Sequence, residues 1–200
     1  QRQMCIRDSE GTLVVADEQT GGKGRRGRAW CTPKGSAIAM TIVLRPDIRP
    51  ELASMVTLVM GLSVAKAIGS LYPVSVGIKW PNDVVVNGKK ICGILTEMSA
   101  EMTGIHYLVI GTGINTNVEE FPEEIQSVAT SLIKELGEKV NRAELIAACL
   151  KYFEEYYEKY IAAGNLAPLK EDYEALLLNR NNKVRVLEPN HEYTGLSLGI

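Results

Sequence analysis

Gln19-Thr-Gly-Gly-Lys-Gly-Arg-Arg-Gly-Arg-Ala-Trp30 is the stretch from which the rest of the chain is read: glycines alternate with cations, and no apolar period runs through it. Glycine lets backbone N–H groups approach an anion closely, and Lys23, Arg25 and Arg28 add charge and bidentate donors suited to phosphate or carboxylate oxygens. Taken alone, this composition leaves three readings open: an anion cradle, a solvated flexible loop, and an RNA-binding arginine-glycine tract. The segment lacks the Lys-Ser/Thr ending of a phosphate-binding P-loop, which disfavours an ordinary NTPase. From Asp17 to Gly35 the sequence predicts loop, with no regular structure.

Outward from this loop the chain becomes periodic. Thr12 to Ala16 and Ser36 to Leu44 are apolar, β-branched runs that predict strands. Leu52, Met55, Val56, Val59, Leu62, Val64, Ala65 and Ile68 lay one stripe along a helix spanning Pro50 to Leu71. Further strands are predicted at Val74 to Lys79, Val84 to Val86, Ile91 to Met98 and His106 to Ile110. Asn87-Gly88 marks a tight hairpin, since both residues tolerate positive φ. Asn141 followed by Glu144 resembles a capping box ahead of a long helix that ends near Gly164. A shorter helix, roughly Pro168 to Leu178, precedes two β-like runs, Lys183 to Leu187 and Tyr193 to Leu198, joined by Glu188-Pro189-Asn190. The fold class is α+β, a mixed β-sheet with packed helices, followed by the start of a small β module.

Composition narrows the functional classes. The chain has 200 residues, 46% of them hydrophobic, enough for one sizeable core, and a net charge of −2 that argues against a surface built for nucleic acid. Its four cysteines form no Cys-x-x-Cys pair and it has two histidines, so neither a zinc ligand set nor a disulfide framework is predicted. The most apolar uncharged stretch, Leu52 to Ala65, is shorter than the roughly 18 residues of a membrane span, and the expected location is the cytoplasm. Residues 1–9 show neither a signal-peptide apolar core nor a strand or helix period and are read as a scar or non-native segment.

Three more constellations carry chemistry. Lys79-Trp80-Pro81-Asn82-Asp83 reads as a turn between strands, with Trp80 expected to anchor the corner by burial. Lys90-Ile91-Cys92-Gly93-Ile94-Leu95 sets a cation at the mouth of an apolar strand, and Gly93 leaves room for a ligand beside the backbone. Gly111-Thr112-Gly113-Ile114-Asn115 follows a strand and reads as a turn able to frame a nucleotide. Each has a plain structural alternative: a strand-connecting turn, an exposed strand end, an ordinary turn.

In this order, the four segments together resemble the biotin protein ligase family. Its hallmarks are a Gly-Arg-Gly-Arg-x-Gly-Arg-x-Trp loop, a Lys-Trp-Pro-Asn-Asp turn, a Lys-x-x-Gly-Ile-Leu strand and a Gly-x-Gly-Ile-Asn turn. The resemblance runs from about Gly11 to Ile200. It implies an enzyme that adenylates biotin with ATP, assisted by Mg²⁺, and transfers it to a lysine of a biotin carboxyl carrier protein. It further implies biotin contacts at Gln19, Lys23, Gly24, Arg25, Lys90 and Gly93, with Lys90 and Arg25 carrying the catalytic charge. Nucleotide contacts fall on Arg28, Trp30, Lys79, Asn82, Gly111, Gly113 and Asn115, and no protein ligand to a metal is assigned. Residues 10–180 correspond to the catalytic domain and 181–200 to the beginning of an SH3-like barrel.

The sequence departs from the family pattern at Lys23, where arginine is usual, turning a bidentate contact into a point charge. A Ser-Thr-Asn segment expected before Gly11 is not matched in residues 1–9, and the barrel is short of strands, so the chain is read as cut at both ends. Unpaired edges of that kind favour association, including a homodimer. Rival readings are a lipoate protein ligase, a biotin-responsive repressor whose DNA-binding domain lies outside this sequence, and an RNA-binding module.

Overall fold

Alternation in Ile38–Leu44 sends Ile38, Met40, Ile42 and Leu44 into one large apolar cluster and turns Val43 to the opposite side, where it meets Val109 and Tyr107. That asymmetry sets the architecture: helices cover one face of a sheet and leave the other for a site. The computed structural model describes residues 9–27, 29–101, 104–187 and 192–200. All of the segment read as a scar but Ser9, together with Arg28 and the turn expected at Glu188-Pro189-Asn190, lies outside them.

The main sheet has six strands, β1 (Leu13–Ala16), β4 (Ile38–Leu44), β5 (Val76–Lys79), β6 (Asp83–Val86), β7 (Lys89–Glu101) and β8 (Gly104–Ile114), in the order β1-β4-β8-β7-β6-β5. Neighbouring strands pair antiparallel; parallel pairing enters as two isolated bridges, Ile78 to Leu177 and Lys90 to Ala129. Asn87 (φ 50°) and Gly88 (φ 79°) make the tight β6–β7 turn, as the sequence predicts. β2 (Gln19–Lys23) and β3 (Ala29–Thr32) form a separate hairpin, and β9 (Lys183–Leu187) pairs with β10 (Glu192–Leu196).

The helix expected over Pro50 to Leu71 divides into a 3-10 segment, Pro50–Met55, and α1, Val56–Leu71. Its burial exceeds one stripe. Met60, Gly61, Leu62, Ser63, Val64 and Ala65 are consecutive and all buried, because the sheet lies on one side of α1 and another helix on the other. By length and composition Pro50–Leu71 would pass for a membrane span, yet most of it is enclosed within this core. The Ser63 hydroxyl is satisfied by donating to the Val59 carbonyl, 2.7 Å away.

Between β8 and the long helix lies α2 (Leu132–Leu136), a short element without a readable period. The long helix, α3 (Arg142–Ala163), begins where Asn141 Oδ1 accepts from the backbone N–H groups of Ala143 (3.0 Å) and Glu144 (3.3 Å). It stops at Gly164, whose φ of 64° favours glycine. Leu145, Cys149, Phe153, Tyr156 and Tyr160 recur at intervals of three and four and bury against α1. The predicted helix from Pro168 is a 3-10 turn, Ala167–Leu169, followed by α4, Lys170–Leu176.

Candidate functional site

The site lies where the β2–β3 hairpin meets β7 and β8, and its floor is bare backbone. Gly93 of β7 stands opposite Gly113 of β8, and Gly111 lies two residues before Gly113 on the same side of the strand. The expected turn at Gly111 to Asn115 is therefore mostly strand, since β8 continues through Ile114. Pairing on both sides, with β4 and with β7, holds these glycines extended despite their low strand propensity.

Trp30 lies flat on that floor. A Cβ added at Gly113 would stand 2.7 Å from Trp30 Cζ2, and one at Gly93 would stand 3.1 Å from Cζ3. A side chain at Gly113 would expel the indole and one at Gly93 would press on its edge, so the glycines make the seat. Trp30 Nε1 is buried with no hydrogen-bond partner among the described residues.

The segment predicted to be loop is a hairpin. Gly22 pairs with Trp30 and Lys23 with Ala29, a register shift lies between Gln19 and Gly22, and Arg25–Gly27 forms a 3-10 turn with Gly27 at φ 74°. A side chain at Gly22 would strike the Trp30 carbonyl oxygen, so this pairing needs glycine. The hairpin is held from outside by the seated indole and by Arg25 Nη1, which donates to Asn82 Oδ1 over 3.4 Å. Neither contact leaves an apolar period in the sequence.

Lys90 reaches the floor because of a β-bulge. Lys90 and Gly93 are three residues apart and would face opposite sides of a regular strand. Here Val84 pairs with Cys92 and the next residue, Val85, pairs with Lys90, so Ile91 is an extra residue that turns Lys90 to the glycine side. Its backbone is pinned on the other flank by Val128 and Thr130: Lys90 N–H donates to the Val128 carbonyl (2.8 Å) and Thr130 N–H to that of Lys90 (2.9 Å). The ammonium lies 5.6 Å from the Trp30 ring centroid and 2.7 Å from Asp83 Oδ1. Lys90 is thus on an interior strand, not at an exposed edge.

An indole seated on glycine backbone, beside an ammonium held by Asp83 and an arginine at the rim, gathers donors suited to an anionic ligand. The model of the biotin/lipoate A/B protein ligase family matches residues 7–115, more than half of the chain. The chain belongs to the biotin/lipoate A/B protein ligase family. It is 41% identical over 193 residues to the bifunctional ligase/repressor BirA of Bacillus subtilis, covering 96% of this chain and 59% of that protein. It is 34% identical over 187 residues to the biotin–[acetyl-CoA-carboxylase] ligase of Mycobacterium tuberculosis, covering 91% of this chain and 66% of that one. The biotin protein ligase from Aquifex aeolicus, solved in complex with biotin and ATP, resembles it with a TM-score of 0.87 at 32% identity over 99% of this chain and 82% of that chain. The chain therefore spans 59% of the length of the Bacillus subtilis relative.

Of the residues singled out in this ligase-family sequence, Trp30, Lys90, Gly93 and Gly113 converge at the floor. Arg25 and Asn82 meet at its rim, where Asn82 also donates to the Ile94 carbonyl over 3.2 Å. Gln19 begins β2, and its Oε1 receives the Thr32 hydroxyl at 3.4 Å. Lys23 is exposed and Gly24 half-buried at the hairpin tip. Lys79 is exposed at the end of β5, paired with Asp83 across the turn. Asn115 is 6% exposed and spends its amide on the Thr130 carbonyl at 3.1 Å, so its side chain holds the chain after β8 in place. Trp80 is 55% exposed, contrary to the expected buried anchor; the turn is fixed instead by Asn82 and by the Ile94 N–H donating to the Asn82 carbonyl over 3.0 Å.

Cys92, next to the floor glycine, points into the core, where burial pushes its thiol well above its ordinary value. It is not set up as a nucleophile. Among the described residues no three His, Cys, Asp or Glu side chains converge as a metal site. The residue that sequence reasoning passed over is Asp83, read as a turn former; its register opposite Gly93 follows from the Asn87-Gly88 hairpin, but its contact with Lys90 depends on the bulge.

Proposed function

We propose that the chain is the catalytic part of a biotin protein ligase, which adenylates biotin and delivers it to a lysine of a biotin carboxyl carrier protein in the cytoplasm. The observation that carries the reading is the Lys90 ammonium held at the edge of the Gly93–Gly113 floor, with Arg25 at the rim. The biotin and ATP bound by the Aquifex aeolicus relative, and the ligase activity in the relatives' names, support it.

In the first half-reaction the biotin carboxylate attacks the α-phosphorus of ATP and pyrophosphate leaves. Two anions must approach, so Lys90 and Arg25 reduce their repulsion and stabilise the charge that develops on the phosphoryl oxygens. In the second, a neutral lysine amine of the acceptor attacks the acyl carbon of biotinyl-5′-AMP, forming the amide and releasing AMP and a proton. No enzyme nucleophile takes part. Gln19, Lys23, Gly24, Arg25, Lys90 and Gly93 form the biotin side, while Arg28, Trp30, Lys79, Asn82, Gly111 and Gly113 serve the nucleotide. Asn115 supports that side through the backbone. Mg²⁺ enters as the counter-ion that ATP carries with it, and no protein cage for it is assigned.

Incubating the chain with biotin and ATP and analysing the products by mass spectrometry tests this reading. Biotinyl-5′-AMP is the expected product. Lipoyl-AMP formed from lipoate, with no product from biotin, would transfer the assignment to the lipoate ligases.

A further inference from the structure

We propose that Asp83 is the positioning residue for Lys90: its carboxylate holds the ammonium over the glycine floor so that the incoming carboxylate and phosphate meet a charge already in place. The proposal rests on the reading that Lys90 receives those anions. Asp83 begins β6 directly opposite Gly93, and Oδ1 lies 2.7 Å from Lys90 Nζ. That oxygen is buried and accepts no geometrically formed hydrogen bond, which leaves the Lys90 ion pair as its compensation among the described residues. The Asp83 and Lys90 side chains are 23% and 35% exposed, so the carboxylate is the more enclosed partner and water reaches the ammonium from one side.

Lys90 needs such a holder. A lysine ammonium sits on a flexible four-carbon stem and, unlike a guanidinium fork, brings no fixed geometry of its own. The bulge at Ile91 aims the stem toward the floor without fixing its end. Asp83 fixes it, occupying one of the three donors and leaving two for the substrate. No proton or bond is exchanged between Asp83 and Lys90 during turnover; the carboxylate acts through the lysine alone.

A double-mutant cycle on the full chain tests this, using Asp83→Ala, Asp83→Asn, Asp83→Glu, Lys90→Ala and the Asp83→Ala/Lys90→Ala pair. For Asp83→Ala we expect kcat of biotin-dependent pyrophosphate exchange to fall by about 10²-fold, the scale of a misplaced reacting group. Asp83→Asn keeps the shape without the charge and should lose activity as well, while Asp83→Glu should recover part of it. Binding of biotinol, in which an alcohol replaces the biotin carboxylate, should stay within about twofold of the parent chain, a difference small beside the tenfold that 1.4 kcal/mol produces. The double variant should be no slower than Lys90→Ala alone. Additive losses, or biotinol binding that weakens along with biotin, would mean Asp83 merely supports the fold and would overturn the proposal. A readout independent of turnover separates this from the functional reading: Lys90 should be acetylated faster by an amine-directed reagent in Asp83→Ala than in the parent. An unchanged rate would refute the pairing even if exchange were robust. Absent exchange in the parent chain, with faster Lys90 labelling in the variant, would sink the ligase reading and leave the pairing standing.

Discussion

At the residue scale the site is built by what is missing from Gly93 and Gly113: a methyl group would crowd the Trp30 indole at the first position and collide with it at the second. In Gly113→Ala the indole has to leave its seat, and Trp30 becomes solvated. Measured in a Trp80→Phe background, so that one tryptophan reports, the emission should shift to longer wavelength; an unshifted spectrum would contradict the seated indole. These four residues, Lys90 included, were legible because their types recur in ordered motifs. Asp83 was not legible as a partner of Lys90, since a single extra residue in a strand reverses which side chains share a face and leaves no compositional trace. Trp80 failed for a related reason: its size predicts burial, but a turn at the sheet end has no second layer to bury it.

Elements with their own local signals were the readable ones. Asn141 and Gly164 bracket α3 by capping chemistry, and Asn87-Gly88 sets the β6–β7 turn. Asn141→Ala should therefore cost about 1 kcal/mol, seen as a lowered urea midpoint with unchanged slope, whereas Asn141→Ser should be close to neutral. Equal losses in both variants would remove the cap from the account. The β2–β3 hairpin was invisible because its glycines and cations oppose strand formation, and what overrides them, the Trp30 seat and the Arg25–Asn82 contact, is tertiary. β8 ran further than expected for the same reason: pairing on both flanks outweighs the turn signal of Gly111 and Gly113. α1 was readable as a helix but not as one buried on nearly every side, since a stripe count cannot show that α3 covers its back.

Across the whole molecule, helices on one face of the sheet carry stability and the other face carries the site. Burial raises titrating groups on the long helix as it does Cys92 on β7: Cys149 moves from 9.0 to about 12, chiefly by desolvation, and Tyr156 and Tyr157 from 10.0 to about 12 for the same leading reason. The sign follows directly. Below pH 9 these groups are protonated in both folded and unfolded chains; between pH 9 and about 12 the folded chain keeps protons that the unfolded chain has released. Stability should accordingly be intact at neutral pH and fall through that window, which urea titrations at successive pH values would show; a midpoint that rose with pH would contradict the buried assignment. At the far end, Glu174, 7% exposed, joins α4 to the terminal segment through Arg180 (3.1 Å) and the Ile200 N–H (3.2 Å). The measurement that bears most directly on the whole account is exchange of labelled pyrophosphate into ATP by the parent chain and by Lys90→Ala, with folding of both checked by circular dichroism. Exchange that requires biotin in the parent and is lost in Lys90→Ala is the predicted result; exchange retained by a folded Lys90→Ala chain would contradict it.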